Sequence, residues 1–509
     1  MAGLNVTATL VFVFFFLLVT ALGFWASRWR AGDLGQLHQW GLGGRQFGPF
    51  VTWFLLGGDL YTAYTVIAVP ALAYTAGAIA FFAVPYTIFI YPYVYLTMPR
   101  LWAVARKRGY VTAADFVAGR YGDKALALGV ALVGMVATMP YIALQLVGME
   151  RVIGALGFSG TGLMTHAPLT IAFLILAVYT YSSGLRAPAV IAFVKDAMIY
   201  VFVIAAVVIA PIKLGGYAHI FAEAGKSYGS HAATAPLLAG PAIWPYVTLA
   251  IGSTFALFLY PHAMTGVLAA NSGRTIRRNA MTLPAYSVAL GLIALMGFMA
   301  HAAGVKVANP QDAVPQLILT LFPDWFAGFC FAAIAVGALV PAAVMSIGAA
   351  NTFTRNVWKP FVDPTISGEK EASLAKLVSL IVKVGALAVI LFVPTQFAIN
   401  LQLLGGVWMA QAFPAVILGL YTRWFSGRGL LAGLVAGVGV GTWLSYVPAS
   451  GTWVPVHAFF GHGIYNGLTG FVLNMVVAVV ISAVLPNDAP DETAPADYLD
   501  EAPATPATA

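Results

Sequence analysis

The sequence predicts an all-α integral membrane protein with about thirteen transmembrane helices, and two observations support this. The chain has 509 residues, of which 61% are hydrophobic and only 8% are charged, whereas soluble domains carry roughly 25% charged residues. Its apolar residues form repeated blocks of about 20, the length of a helix that crosses the hydrocarbon core of a bilayer. Such a chain requires lipid as its solvent, so we expect the bilayer to be its main partner.

The apolar blocks predict where each span lies. The predicted spans are residues 6–27, 50–74, 79–99, 126–150, 168–183, 188–211, 244–262, 281–304, 325–352, 375–393, 400–421, 429–447 and 464–485. The first block resembles a signal peptide in its position. However, no basic residue precedes it, and Arg28 and Arg30 follow it directly, so we expect it to be a span.

The basic residues predict the orientation of the spans. If the N-terminus lies outside, most Lys and Arg residues fall in one set of alternate loops, and the opposite set holds only Lys213, Lys226 and Lys306. The positive-inside rule makes the rich side cytoplasmic. We therefore expect a periplasmic N-terminus and a cytoplasmic C-terminus. The net charge of +7 then indicates topology, and no nucleic-acid partner is expected.

Asp59 is the strongest candidate for a functional group inside a span. It follows Gly57 and Gly58 in the stretch LLGGDLYTAYT. Two glycines weaken a helix, and an unwound turn exposes backbone carbonyls that can bind a bare cation. A carboxylate inside the bilayer is costly and is a functional candidate by default. The alternative is a glycine pair for close helix packing, with Asp59 as a cap.

The seventh predicted span repeats this pattern in the stretch AIGSTFALFLYPHAM. Gly252, Ser253 and Thr254 lie in mid-block, and Pro261 and His262 stand where the helix should end. Two interrupted helices, each opening a group of five spans, are typical of transporters built from two inverted repeats. Packing glycines alone are the alternative explanation.

Two further spans carry polar groups. In the ninth span, Ser346 lies one turn after Ala343, and hydroxyl and carbonyl oxygens suit an alkali cation and not a transition metal. The alternative is a serine bonded to its own helix. Asp196, early in the sixth span, is either a cytoplasmic relay for a cation or one half of an ion pair with Lys195.

These features predict a division of the chain into six parts. They are an N-terminal span and loop (1–49), a first five-helix repeat (50–211), an extracellular loop (212–243), a second five-helix repeat (244–421), two C-terminal spans (422–485) and a disordered acidic cytoplasmic tail (486–509). The tail is rich in Pro, Ala and acidic residues, which bury too little apolar surface to fold alone. Between the third and fourth spans, the segment 101–122 predicts an interfacial helix that begins near Thr112 or Ala113.

Several stretches together resemble the solute:sodium symporter family, whose members share a leucine-transporter-like fold. In chain order, the stretches are GLGGRQFGPF, GGDLYTAY, VTAADFVAGRYG, SSGLRAPAVIAFVKDAMIY, YPHAMTGVLAANS and PAAVMSIGAANTFTRNVW. Within the family, the chain looks most like bacterial monocarboxylate permeases. The resemblance implies a symporter of the bacterial inner membrane that imports lactate, pyruvate or related acids with sodium or a proton. A symporter for an amino acid, a sugar or urea is the alternative.

The resemblance also implies a cation site. Its ligands would be the carbonyls of Gly57 and Leu60, with Asp59 as the acid of that motif, then the Ala343 carbonyl and two successive hydroxyl residues. The first hydroxyl is present as Ser346. Ile347 stands at the second position and has no hydroxyl, which leaves sodium or a proton open as the coupling ion. The acid of the sixth span matches Asp196, although Lys195 stands where a small hydroxyl residue is usual.

A carboxylate substrate needs a dipolar end and an apolar end in its pocket. Backbone N–H groups near Tyr61 and Thr62, at a half-helix N-terminus, could bind the carboxylate. Candidates across the cavity are Tyr141, Gln145, Tyr246, Phe255, Gln402, Trp408 and Gln411. For each, an interfacial aromatic or an interhelical hydrogen bond is the alternative.

Other classes of protein lack support in the sequence. Cys330 is the lone cysteine, and no His or Cys pair has the spacing of metal ligands, so no cofactor or transition metal is expected. No nucleophile, base and orienting acid recur together, so we expect no enzyme. A channel would show filter rings and a sensor a large cytoplasmic domain, so both are weaker alternatives. Nothing indicates an obligatory protein partner.

Overall fold

The chain is a mostly helical, multi-pass membrane protein. The computed structural model describes residues 4–28, 32–158, 167–228, 236–238, 240–392, 398–487 and 489–500. Within those residues, 10 helical segments are long and apolar enough to cross a membrane. Two shorter apolar helices, Pro49–Gly58 and Ala167–Ser183, accompany them. The finer count of thirteen spans stays a prediction.

In the first half of the chain, the described residues include ten α-helices. They are α1 (Val6–Trp25), α2 (Leu37–Leu42), α3 (Pro49–Gly58), α4 (Val69–Ala76), α5 (Ala83–Arg108), α6 (Ala113–Tyr121), α7 (Lys124–Ala155), α8 (Ala167–Ser183), α9 (Arg186–Lys213) and α10 (Tyr217–Tyr228). Helix α6 is the predicted interfacial helix. The Thr112 hydroxyl accepts from the Asp115 N–H at 3.0 Å, and the Asp115 carboxylate accepts from the Thr112 N–H at 3.2 Å. This capping box confirms the predicted start of the helix.

The second half of the chain is also mainly helical. Its helices are α11 (Ile243–Ala256), α12 (Pro261–Leu268), α13 (Gly273–Thr282), α14 (Pro284–Ala294), α15 (Met296–Ala302), α16 (Ala313–Leu321), α17 (Asp324–Phe353), α18 (Lys359–Phe361), α19 (Gly368–Phe392), α20 (Ala398–Met409), α21 (Phe413–Ile417), α22 (Gly427–Ser445) and α23 (Asn466–Val484). Two small antiparallel hairpins connect α22 to α23: β1 (Tyr446–Val447) with β2 (Thr452–Trp453), and β3 (Val456–Phe459) with β4 (His462–Tyr465).

Helix α17 forms the centre of the molecule, because every residue from Cys330 to Thr352 is buried. Its small residues allow neighbouring backbones to approach closely. A Cβ atom on Gly348 would lie 2.6 Å from the Pro261 carbonyl carbon, and one on Gly328 would lie 2.3 Å from the Ala8 carbonyl oxygen. The predicted ninth span is therefore the helix around which the others pack.

The chain leaves helical geometry between α3 and α4, as the glycine pair predicts. Helix α3 ends at Gly58, the residues 59–62 form turns and bends, and a π-helical turn at Tyr64–Ala68 leads into α4. Single π-turns inside helices are frequent at functional sites. We call the residues 59–62 the first break.

The second interruption differs from its prediction. Gly252, Ser253 and Thr254 lie within continuous α11, and the helical geometry ends instead at Tyr260, whose ψ is 141°. Proline disfavours helical ψ in the residue before it, so Pro261 sets the position. The chain then continues as α12 to Leu268, beyond the predicted end at residue 262. We call Tyr260 and Pro261 the second break.

Residues 489–500 of the tail pack against basic residues of the helix ends, whereas the sequence analysis predicts disorder for 486–509. The Asp491 carboxylate lies 2.9 Å from the Arg120 guanidinium and 3.3 Å from that of Arg423. Asp497 lies 2.6 Å from Arg108. The Tyr498 ring is buried. The composition of the tail predicts disorder, but the arginines that hold the tail in place lie in other parts of the chain.

The electrostatics of this contact are visible at Asp497. The backbone N–H of Ala494 and the Arg108 guanidinium hold the pKa of the Asp497 carboxyl below its usual range. A lowered pKa means that the docked state favours the charged carboxylate. The contact is therefore complete above the ordinary pKa of Asp, and it weakens as the pH falls through the lowered value.

Replacing Asp491 should loosen the tail. Arg120 is nearly buried and would lose a charged partner, so Asp491→Ala should lower the stability of the folded protein by roughly 1–3 kcal/mol. A thermal melt of the purified protein measures this change. Glu492→Ala is the matched control, because that side chain is exposed on the same segment. Equal melts for the two variants would contradict the docking of the tail through Asp491.

Candidate functional site

The two breaks meet at a pair of buried polar side chains. Asp59 of the first break and His262 of the second approach to 3.3 Å between Oδ2 and Nε2. Their side chains are 11% and 1% exposed. Among the described residues, the other Asp59 oxygen and His262 Nδ1 have no hydrogen-bond partner. Polar groups in this state are costly in a membrane interior and mark functional positions.

Aromatic rings surround this pair. The Tyr141 ring lies 5.4 Å from the His262 ring, and the Tyr260 ring lies 5.2 Å from it, measured between centroids. The Tyr260 hydroxyl donates to the backbone carbonyl of Gln402 at 3.3 Å. Tyr141 and Gln402, both predicted for the cavity, are therefore brought to the second break.

Side chains already cap the half-helix that starts after the first break. The Ala63 N–H donates to Gln145 Oε1 at 3.0 Å, and the Tyr64 N–H donates to the Thr62 hydroxyl at 3.0 Å. Gln145 and Thr62 therefore lie at the first break, and their role in substrate binding stays a prediction. The two amide groups can reach a carboxylate only after these side chains move.

A second buried cluster lies on the other side of the first break. The Lys195 ammonium lies 3.0 Å from Asp196 Oδ1, and neither side chain is exposed. The Tyr286 hydroxyl donates to Asp196 Oδ2 at 2.6 Å. Lys195 also donates to the carbonyl oxygens of Gly58 and, at 3.2 Å, Tyr61. Asp196 thus reaches the first break through its neighbour Lys195.

The carbonyls proposed as cation ligands on the first break are engaged within the chain. The Gly57 carbonyl accepts from the Leu60 N–H at 2.9 Å. The Leu60 carbonyl accepts from the Thr65 hydroxyl.

The ligands proposed on α17 are engaged in the same way. The Ser346 hydroxyl donates to the Ala343 carbonyl at 2.8 Å and accepts from the Ser379 hydroxyl at 3.1 Å. Lys383 donates to the Ser379 hydroxyl at 2.8 Å, so a second buried lysine connects to the predicted ligand Ser346. Ile347, beside Ser346, is buried and offers no side-chain oxygen.

Four predicted substrate residues do not join the site. The Trp408 indole N–H donates to Thr442 on α22, and the Gln411 amide donates to the Gly467 carbonyl on α23. Phe255 packs on Phe413 and Phe471, and the Tyr246 hydroxyl lies 3.4 Å from the Phe81 carbonyl. These contacts match the interhelical alternatives that the sequence analysis left open.

Sequence reasoning left out His262, Lys195, Tyr286 and Lys383 as members of the site. The signals for three of them were present. His262 follows the proline of an interrupted helix, and Lys195 and Lys383 are charged residues within apolar blocks. Tyr286 carried no such signal, because its role depends on contact with Asp196 across 90 residues of sequence.

Gly57→Ala should disrupt the first break. The added Cβ would lie 2.2 Å from the Tyr286 ring, and that ring is itself packed between Trp53 and Tyr61. Overpacking of this kind costs about 1–3 kcal/mol, so both the melting temperature and solute uptake should fall. In the matched control Gly439→Ala, the new methyl group meets nothing within 4 Å. A normal melt and normal uptake for Gly57→Ala would contradict the close packing at the first break.

The comparisons with known proteins agree with this architecture. The profile described as "Sodium:solute symporter family" matches residues 40–437. The chain belongs to the sodium:solute symporter family. The family and the leucine-transporter-like fold expected from the sequence are thereby confirmed.

Individual relatives match nearly the whole length of this chain. It is 58% identical to the "Monocarboxylate transport permease protein" of Rhizobium johnstonii, over 96% of this chain and 99% of that protein. It is 34% identical to an uncharacterized symporter of Bacillus subtilis, over 95% of each chain. A "Sodium/proline symporter" of Staphylococcus aureus is 23% identical, over 92% of this chain and 91% of its own.

A solved structure shows the same fold. It is that of a Na+-coupled sialic acid symporter in a substrate-bound outward-open state, with a TM-score of 0.76 and 15% sequence identity. The match covers 94% of this chain and 98% of that chain. At this identity, the likeness concerns the fold.

Proposed function

We propose that this symporter imports small monocarboxylates such as lactate or pyruvate, coupled to a cation, by alternating access. The cation, sodium or a proton, and the solute enter from the periplasm, balance each other's charge at the breaks, and leave inward as one group of helices rocks against the other. The proposal includes thirteen spans in a bacterial inner membrane, two inverted five-helix repeats, a periplasmic N-terminus and a cytoplasmic C-terminus.

The observation that carries the proposal is the contact between Asp59 and His262. It joins the two interrupted helices through a carboxylate and an imidazole. Half-helix ends with opposed dipoles and exposed polar backbone are suited to bind a cation and an anion next to each other. A pair of side chains that joins both breaks can respond to the binding of the cation and to that of the solute, which coupling between the two requires.

Three observations support a carboxylate as the substrate. The relative at 58% identity is named a monocarboxylate permease. Proline and sialic acid, in the names of two more distant proteins, also carry a carboxylate. Thr62, Gln145 and Tyr141 place uncharged polar side chains around the breaks, and such groups in otherwise apolar surroundings suit a small polar anion.

Labelled uptake into proteoliposomes tests this function. Purified protein is reconstituted, a sodium or proton gradient is imposed, and uptake of labelled pyruvate is measured against unlabelled short acids, sugars, amino acids and urea. The proposal predicts that a gradient of one of the two cations drives uptake and that lactate competes best. Uptake that ignores both gradients would exclude symport, and competition only by sugars, amino acids or urea would assign another substrate class.

A further inference from the structure

Lys195 places a positive charge on the first break. Its Nζ donates to the carbonyl oxygens of Gly58 and Tyr61, the latter at 3.2 Å, and it lies 3.0 Å from Asp196 Oδ1. A lysine ammonium has three N–H donors. Two of them bind these carbonyls, and the Asp196 carboxylate is held beside the ammonium as an ion pair. The side chain is completely buried, so water does not supply the contacts.

The same oxygens would suit an alkali cation. Two backbone carbonyls of an unwound helix and one carboxylate are hard, partly negative ligands. The Lys195 ammonium already contacts all three, because it donates to the two carbonyls and forms an ion pair with the carboxylate. A sodium ion beside it would meet the repulsion of a like charge, which is strong where the surroundings exclude water.

The cation site implied by the family does not fit the residues of this chain well. The Leu60 carbonyl accepts a hydrogen bond from the Thr65 hydroxyl, and the Ala343 carbonyl accepts one from the Ser346 hydroxyl. Ile347 supplies no hydroxyl. The ligand set is therefore incomplete, and its members already take part in internal hydrogen bonds. The Lys383 side chain also donates to Ser379, which donates to Ser346.

The charged and titratable groups around Lys195 fall into two sets. Asp196 on α9 and Tyr286 on α14 form one set with Lys195, and Tyr61 and Tyr200 pack against Tyr286 with ring centroids 4.5 Å and 6.1 Å away. Across the first break, Asp59 pairs with His262. Because Lys195 balances Asp196, that carboxylate is not free to attract sodium.

We propose that Lys195 is a built-in cation that takes the place of sodium at the first break, so that sodium does not drive this transporter. Lys195 thereby determines the cation specificity of the site. The inference rests on the proposed function where it concerns transport. Of sodium and the proton, only the proton then remains as the coupling cation.

The primary test compares cations in the unmodified protein. Pyruvate uptake into proteoliposomes under an imposed proton gradient is measured with sodium and with choline as the bulk cation, and the melting temperature of the purified protein is measured in the same two salts. We expect equal uptake and equal melting temperatures. Uptake that requires sodium, or a melting temperature that sodium raises in a saturable way, would overturn the inference.

Variants test whether the ammonium is responsible. Lys195→Ser removes the charge and leaves one small oxygen ligand beside Asp196. Sodium should then raise the uptake rate of this variant roughly tenfold over its rate in choline, or its affinity for sodium, measured from melting temperatures, should exceed that of the unmodified protein roughly tenfold. Lys195→Arg keeps the charge and should stay insensitive to sodium. The double variant Lys195→Ser, Asp196→Asn should lose the response, because it lacks the carboxylate. A folded Lys195→Ser protein whose melting temperature and uptake are the same in sodium and in choline would overturn the inference.

The outcomes separate this inference from the proposed function. A protein that takes up no monocarboxylate under either gradient refutes the function. The melting temperatures of the unmodified protein and of Lys195→Ser in sodium and choline still test the role of Lys195, because they require no substrate.

Discussion

Asp59→Asn should reduce cation-driven uptake of pyruvate by about tenfold to a hundredfold, the equivalent of one charged hydrogen bond of about 1.5–3 kcal/mol. The change keeps the size of the side chain and removes its negative charge. His262 then loses the carboxylate that connects the two breaks. Initial rates of labelled uptake into proteoliposomes, with the effective cation gradient imposed, measure the loss.

The matched control for this variant is Glu369→Gln, which neutralises an exposed carboxylate in the first turn of α19. It should transport normally. Both proteins should be checked by thermal melting, so that a failure to fold is not read as a failure to transport. If a well-folded Asp59→Asn protein shows unchanged uptake and an unchanged response to the cation, Asp59 is not part of the cation site.

Asp196→Asn should destabilise the protein by about 3–5 kcal/mol, because it leaves the buried Lys195 ammonium without its negative partner. The Tyr286 hydroxyl would also lose a charged acceptor. The free energy of unfolding, measured by denaturant titration in detergent micelles, should show a large decrease.

The double variant Lys195→Met, Asp196→Asn provides the control for that loss. It removes both charges and keeps the volume of the side chains, and buried ion pairs replaced in this way often lose little stability. We expect it to be clearly more stable than Asp196→Asn alone. The single variant Lys195→Met completes the comparison. If the stability loss of the double variant equals the sum of the losses of the two single variants, Lys195 and Asp196 are not coupled.

The sequence predicted the first break better than the second, for a physical reason. Gly57 and Gly58 precede an acid, and both the weak helix propensity and the buried charge are local signals. In the seventh predicted span, Gly252 serves packing, because a Cβ atom there would lie 2.4 Å from the Tyr465 ring. The steric effect of Pro261 on Tyr260 sets the actual break, so the proline was the better signal.

The contacts that the sequence did not reveal are those between distant parts of the chain. Asp491 meets Arg120 across 371 residues of sequence, so the composition of the tail alone predicts disorder. The Lys195 ammonium meets backbone carbonyls 134 and 137 residues away, and carbonyls leave no mark in a sequence. The presence of Asp59, Asp196 and Ser346 in polar clusters was predictable, because polar groups are rare in apolar blocks.

If a cation gradient drives solute uptake through this protein, the solute must accumulate against its own gradient. Proteoliposomes receive equal labelled pyruvate inside and outside, and an inward gradient of the coupling cation is then imposed. We expect the internal concentration of pyruvate to rise above the external one and to return to it when an ionophore dissipates the gradient. An internal concentration that never exceeds the external one, in vesicles that do exchange the label, would contradict coupled symport.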